Sequence, residues 1–158
     1  MSWSWFSVDQ DGLASLTERR GKFPVVAELF GNAWDAKTNQ VVAHLVPIAG
    51  SPYFTLTVED WGEGFSDPKD AFTMFGRSKR AGDLEKRGRF NLGEKLVLSL
   101  CRSARIETVG WSLEFERGQE PKRCRGRREK GTLFVGEIRM TRDEADDVAD
   151  SIKRLIPP

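Results

Sequence analysis

The sequence is short of the residues that most often announce a function. It has one histidine and two cysteines in 158 residues. That excludes a zinc-finger array and a disulfide framework, and Cys101 and Cys124 are expected to be reduced thiols. Charge of one sign is also lacking: 25 Lys and Arg stand against 24 Asp and Glu, for a net charge of +1. A histone-like or membrane-surface protein would carry a global basic excess. No run approaches the 18 or so apolar residues of a membrane span, and no membrane partner is expected. The opening MSWSWFSVDQDG has no basic stretch ahead of a long apolar one, so no signal peptide is expected. Repeats and low-complexity tracts are missing too. What remains is 39% hydrophobic and 10% aromatic, enough for one folded domain spanning residues 1–158. A soluble, cytoplasmic protein is the expectation.

Periodicity predicts the elements. A short helix is expected over 13–20 after the turn signal Asp11-Gly12. Phe23, Val26, Ala27, Phe30, Ala33 and Trp34 recur at helical spacing, predicting a helix over 23–36 with Pro24 in its first turn. Strands are predicted over 41–46 and 53–59, joined by a turn at Gly50-Ser51-Pro52. A glycine-rich loop over 60–67, a short helix over 68–75 and a basic connection over 76–93 follow. A helix then starts near Gly93, followed by strands over 105–109 and 111–116, a charged hairpin or loop, and a strand over 132–140. Thr141-x-x-Glu144 is a capping box, and it predicts a helix over 142–156 with Ala145, Val148, Ala149, Ile152, Leu155 and Ile156 as its apolar stripe. Such an order predicts an α+β two-layer sandwich, a mixed β-sheet with helices on one face.

Three segments carry chemistry. In ELFGNAWDA, Glu28, Asn32 and Asp35 fall within about 60° of one another around the helix. They form a narrow polar stripe roughly opposite the apolar face. A solvated helix face would read the same way, but these are all hard oxygen donors, of the kind Mg²⁺ takes together with water and phosphate. EDWGEGF, at the end of the second strand, sets Asp60 at the mouth of a loop whose Gly62 and Gly64 allow close backbone approach. GRFNLGEK precedes a helix. There Gly88, Asn91, Leu92 and Gly93 lead to free backbone N–H groups, with Lys95 in the first turn, an arrangement suited to phosphate. The Gly-Lys-Ser/Thr of a Walker loop is absent.

Together and in this order, the three segments resemble the GHKL ATPases, the group of gyrase-type topoisomerases, ninety-kilodalton heat-shock chaperones, histidine kinases and MutL proteins. ELFGNAWDA is similar to their N-box, EDWGEGF to the first glycine box and GRFNLGEK to the second. Gly131-Thr132 is similar to the Gly-Thr closing the nucleotide pocket in several branches. The resemblance covers residues 23–140 and implies the Bergerat-type ATP-binding fold with ATP and Mg²⁺ as cofactors. It implies Glu28 as the residue polarising the attacking water and Asn32 as the Mg²⁺ ligand. Asp60 would accept a hydrogen bond from the adenine amino group, supported by Thr132. Residues 76–93 would be the ATP lid, where FGRSKR is similar to a stretch of the MORC branch and offers Ser78 and Lys79 to the phosphates. The resemblance further implies a slow ATPase acting as a conformational switch, with a protein partner or further domain and a homodimer formed on ATP binding.

The sequence departs from the family at Asn91 and Leu92, where many members have glycine, and at Trp61, where asparagine is common. The given residues include no transducer domain after Pro158 to contribute the family's usual lysine, so the expectation is either the N-terminal piece of a longer protein or a domain that acts alone with partners. Two other readings stand beside the switch. A histidine-kinase-type catalytic domain would need a phosphoacceptor, and His44 lies in an apolar strand pattern where a structural role is expected. A nucleic-acid or protein-interaction module with a vestigial pocket would use residues 117–130, from Arg117 to Lys130, which hold seven basic residues and no aromatic.

Overall fold

A computed structural model describes residues 9–64 and 93–157. The expected helix over 68–75 and nearly all of the expected lid lie outside them. Four helices and six strands are described: α1 (Gln10–Arg19), α2 (Lys22–Asp35), β1 (Val41–Pro47), β2 (Tyr53–Asp60), α3 (Gly93–Leu100), β3 (Cys101–Thr108), β4 (Trp111–Glu116), β5 (Lys122–Arg125), β6 (Leu133–Arg139) and α4 (Arg142–Lys153). The strands form one sheet in the order β1-β2-β6-β3-β4-β5. It is an α+β sandwich, as expected, but the sheet is antiparallel in every strand pairing described rather than mixed. The reason is topological. β2 and β3 run in the same direction and would make a parallel pair if adjacent, but β6 inserts between them and opposes both. The one parallel pairing among the described residues is an isolated bridge between Val109 and Arg128.

Side-chain alternation puts one face of this sheet under the helices. Rows cross β2, β6 and β3 in register: Leu56 with Gly136 and Ala104, then Val58 with Phe134 and Ile106. All but Gly136 belong to the hydrophobic core, joined there by Val25, Val26, Leu29 and Phe30 of α2, Val97 of α3 and Val148 of α4. Gly136 is required by what lies above it, since a Cβ there would collide with Cys101 Sγ and the Phe134 ring. α3 runs into β3 with no intervening loop. Cys101, at that junction, is buried with its thiol donating to the Val97 carbonyl at 3.3 Å. Burial pushes this thiol up to about 12, so it stays protonated and inert near neutral pH. Cys124 is free and exposed, and no disulfide is formed.

Several boundaries move. α1 begins at Gln10 because Asp9 caps it, its carboxylate accepting from the Gly12 N–H at 3.1 Å; the expected turn at Asp11-Gly12 lies inside the helix. α4 is capped as predicted, with Thr141 and Glu144 making both bonds of the capping box, worth about 1 kcal/mol. It ends at Lys153, short of residue 156, and Ile156 is 82% exposed instead of completing the stripe. A strand at Lys122–Arg125 gives the charged hairpin its second arm. His44 sits exposed on the edge strand β1. No described helix is long and apolar enough to cross a membrane.

α4 is tied to α2 by Lys22 Nζ donating to Glu144 Oε1 at 2.8 Å. That bond, reinforced by the Thr141 backbone N–H, holds the Glu144 carboxyl below the usual carboxylate range. A lowered folded-state value means full stabilisation above the unfolded value, fading as pH falls through the folded one. The substitution Glu144→Gln is therefore expected to lower the melting temperature at pH 7 and to flatten its decline in acid. Parallel melting curves from pH 7 to 3 would show this; curves keeping a constant offset from wild type would refute it.

Candidate nucleotide site

The rows of the core continue one step further at the end of the sheet, and there they turn polar. Beyond Val58–Phe134–Ile106 come Asp60, Thr132 and Thr108. Asp60 and Thr132 exchange backbone hydrogen bonds at 2.9 and 3.2 Å, extending the β2–β6 ladder past its strand ends. Thr108 Oγ1 donates to the Gly131 carbonyl at 3.2 Å. A recess opens beside this polar row, beneath the C-terminal half of α2. Leu29, Asn32, Ala33, Ala36, Val58, Asp60, Gly64, Ile106, Thr132 and Phe134 line it. Its walls are mostly apolar with a few converging polar groups, as in sites for flat organic ligands.

Asp60 is the chemical centre of the recess. It is 6% exposed, and its Oδ1 accepts from the Gly62 N–H at 2.8 Å, which fixes the carboxylate plane. A carboxylate offers about four lone-pair positions, so the same group can also accept from a ligand N–H.

The following loop is held against the protein itself. The Glu63 N–H donates to the Ala36 carbonyl at 2.8 Å, joining the loop to the end of α2. A Cβ at Gly62 would collide with that carbonyl, and one at Gly64, where φ is +74°, with Thr108 Oγ1. Close approach to backbone and to Thr108 thus explains both glycines within the fold, and Gly64 also lines the recess.

Of the expected site residues, Asn32, Asp60, Gly64 and Thr132 come together in one recess. Glu28 and Asp35 do not line it. Glu28 is exposed one turn before Asn32, and Asp35 is half-buried in the last turn of α2. The polar stripe also does not lie opposite the apolar face. Val25, Leu29 and Ala36 are buried, and they fall within about 60° of Asn32 around the helix. The stripe therefore borders the core, and this is what carries Asn32 into the recess. Gly93 and Lys95 occupy the first turn of α3. Ser78, Lys79, Gly88, Asn91 and Leu92 lie outside the described residues.

Sequence reasoning missed two parts. One is the apolar lining from Leu29, Ala36, Ile106 and Phe134, whose residue types do not distinguish a wall from a core. The other is Arg128. Its guanidinium pairs with Glu59 at 2.7 Å and donates to the carbonyls of Asp60 at 3.2 Å and Lys130 at 3.2 Å. The side chain is 14% exposed. Arg128 latches the segment before Thr132 onto the end of β2, so it belongs to the architecture of the recess and not to a free basic loop.

No family model and no curated protein matches this chain. Solved structures do. The ATPase region of Saccharomyces cerevisiae topoisomerase II bound to ICRF-187 (dexrazoxane) is similar over 84% of this chain and 43% of that one, with a TM-score of 0.54 and 17% identity. A second structure of that ATPase region gives a TM-score of 0.51 at 17% identity, over 78% of this chain and 39% of that one. The chain shares the fold of this ATPase region. It spans about two fifths of the length of these neighbours.

The Arg128 latch can be tested directly. Arg128→Met should destabilise the protein by about 1–3 kcal/mol, because Glu59 and the Asp60 carbonyl lose a charged partner. It should also speed amide hydrogen exchange at Gly131 and Thr132. Arg123→Met, at an exposed position, should do neither. Equal exchange in both variants would mean that Arg128 does not hold this segment.

Proposed function

We propose that the chain is an ATP-binding domain and a slow Mg²⁺-dependent ATPase that works as a nucleotide-driven switch. The observation that carries this reading is Asp60, a carboxylate buried at the end of β2 and fixed by the Gly62 N–H, at the edge of an apolar recess shared with Asn32 and Thr132. An aspartate so placed can accept from the exocyclic amine of adenine, while Leu29, Val58, Ile106 and Phe134 cover the faces of the base. Thr132, fixed by its backbone exchange with Asp60, adds a hydroxyl to the same edge. The likeness to a topoisomerase II ATPase region agrees with this reading through the fold.

The protein donor this reading assigns to Mg²⁺ is a single amide oxygen, that of Asn32, with the substrate's phosphates supplying further oxygens. Among the described residues no three His, Cys, Asp or Glu side chains gather into a metal site. Asn32, which lines the recess, would hold the ion through its amide oxygen, together with phosphate oxygens and water. When bound, the ion neutralises charge on the phosphates. Glu28, one turn before Asn32 on α2, is exposed, and the role assigned to it is to orient and deprotonate the attacking water. The lid residues Ser78 and Lys79, with Lys95 on α3, are assigned to the phosphates. Closure of that segment would set the rate and alter the surface offered to a protein partner or second copy.

Two substitutions test the binding and the chemistry separately. With ATP and Mg²⁺ at a hundredfold over the dissociation constant, linkage predicts about 2.7 kcal/mol of stabilisation, a rise of roughly 5–10 °C for a domain of this size. Asp60→Asn retains the acceptor for Gly62 but presents an amide to adenine, so the rise should disappear while the unliganded melting temperature stays near wild type. An equal rise in both proteins would remove Asp60 from the site. Glu28→Ala should keep the full rise and release phosphate at least a hundredfold more slowly. Normal turnover in that variant would show that another group activates the water.

A further inference from the structure

Seven basic residues lie between Arg117 and Lys130, and the structure sorts them. Arg117 pairs with Asp11 at 3.1 Å and Arg128 with Glu59 at 2.7 Å. The remaining five, Lys122, Arg123, Arg125, Arg127 and Lys130, make no side-chain ion pair among the described residues, and all five are exposed. Three of them lie on β5, the outermost strand of the described sheet, which among the described residues pairs with β4 alone. An outer strand commonly carries one or two charges to discourage edge-to-edge association. A run of four cations in six residues, from Lys122 to Arg127, exceeds that need.

We propose that this outer strand is a track for the phosphate backbone of double-stranded nucleic acid, bound without regard to sequence. Arg123 and Arg125 point to the same side of the pleat, across from Leu113 and Trp111 of β4, and so recur about 6.6–6.8 Å apart. That repeat is close to the separation of successive phosphates along one strand. Arg127 continues the line because its backbone N–H is anchored to the buried Glu107 carboxylate at 2.9 Å, leaving its guanidinium outward. A protein partner fits less well, since a stable protein interface centres on buried apolar or aromatic anchors. Residues 117–130 supply none. The missing aromatics equally leave no stacking platform for single strands, which leaves the duplex backbone as the occupant. Glu114 stands opposite Lys122 in register and Glu120 and Glu129 flank the run, so three to four phosphates are the expected contact.

The track is separate from the nucleotide recess, and its test needs no nucleotide. Fluorescence anisotropy with a labelled 20-base-pair duplex, from 50 to 200 mM salt, should give a slope of log K against log salt of about −3 to −4. The triple variant Arg123→Gln/Arg125→Gln/Arg127→Gln should flatten this slope to about −1 and weaken binding at 50 mM salt at least tenfold. Its unchanged melting temperature would show that the fold survives. Duplexes of unrelated sequence should bind within about threefold of one another. The proposal is overturned if wild type shows no salt-dependent binding, if the triple variant binds equally well, or if polyglutamate of matched charge competes as effectively as duplex. None of these outcomes bears on the ATP reading, which rests on Asp60.

Discussion

The molecule depends on one insertion: the last strand in the chain is a central strand of the sheet. β6 lies between β2 and β3, and the core rows of the sheet pass through Phe134 and Gly136. Until β6 docks, β2 and β3 have unpaired inner edges, and the apolar faces of α2 and α3 have only half a floor to rest on. Pairings this far apart in sequence cost loop-closure entropy before they return any stabilisation. Folding is thereby made cooperative across the whole chain. The same docking builds the site, because Thr132 reaches Asp60 only when β6 is in register with β2.

From that register follows a crowded corner in which three glycines are unavoidable. Gly62 lies against the Ala36 carbonyl, Gly64 against Thr108, and Gly131 against the backbone of Asp60 and Trp61. Each marks a place where two chain segments meet with no room for a Cβ. Two of them, Gly64 and Gly131, also have positive φ, a backbone state costly for other residues. Tight backbone packing here removes slack around Asp60, whose carboxylate is buried and held by the Gly62 N–H.

Much of this is legible in the sequence. The apolar period of α2, the alternation of β2 and the capping box of α4 are local signals, and the structure keeps all three. Asp60 can be found because a carboxylate followed by two closely spaced glycines stands at a strand end, where ligand loops gather. The sheet order cannot be read, since nothing local distinguishes a strand that ends the sheet from one that divides it. That is why the pattern suggests a mixed sheet where β6 makes an antiparallel one. The placement of the polar stripe on α2 fails for a related reason. Helical angles order the residues around an axis, but only the neighbours decide which arc is buried. Leu29 and Ala36 extend the buried arc until it touches Asn32.

Charge shows the same division between what composition can say and what contacts decide. Arg127 and Arg128 are adjacent and chemically identical, yet they serve opposite ends. Arg128 turns inward, where Glu59 and two backbone carbonyls satisfy its guanidinium. Arg127 is held by its backbone alone, through Glu107, and its side chain faces solvent. Glu107 is in turn buried and paired with Arg105 at 2.6 Å. An inward carboxylate beneath a basic hairpin would be costly if unpaired; here it fixes the strand direction that presents the outward cations. The segment from Arg127 to Thr132 is thus clamped at Glu107, Glu59 and Asp60, with the basic edge at one end and the recess beside Asp60 at the other.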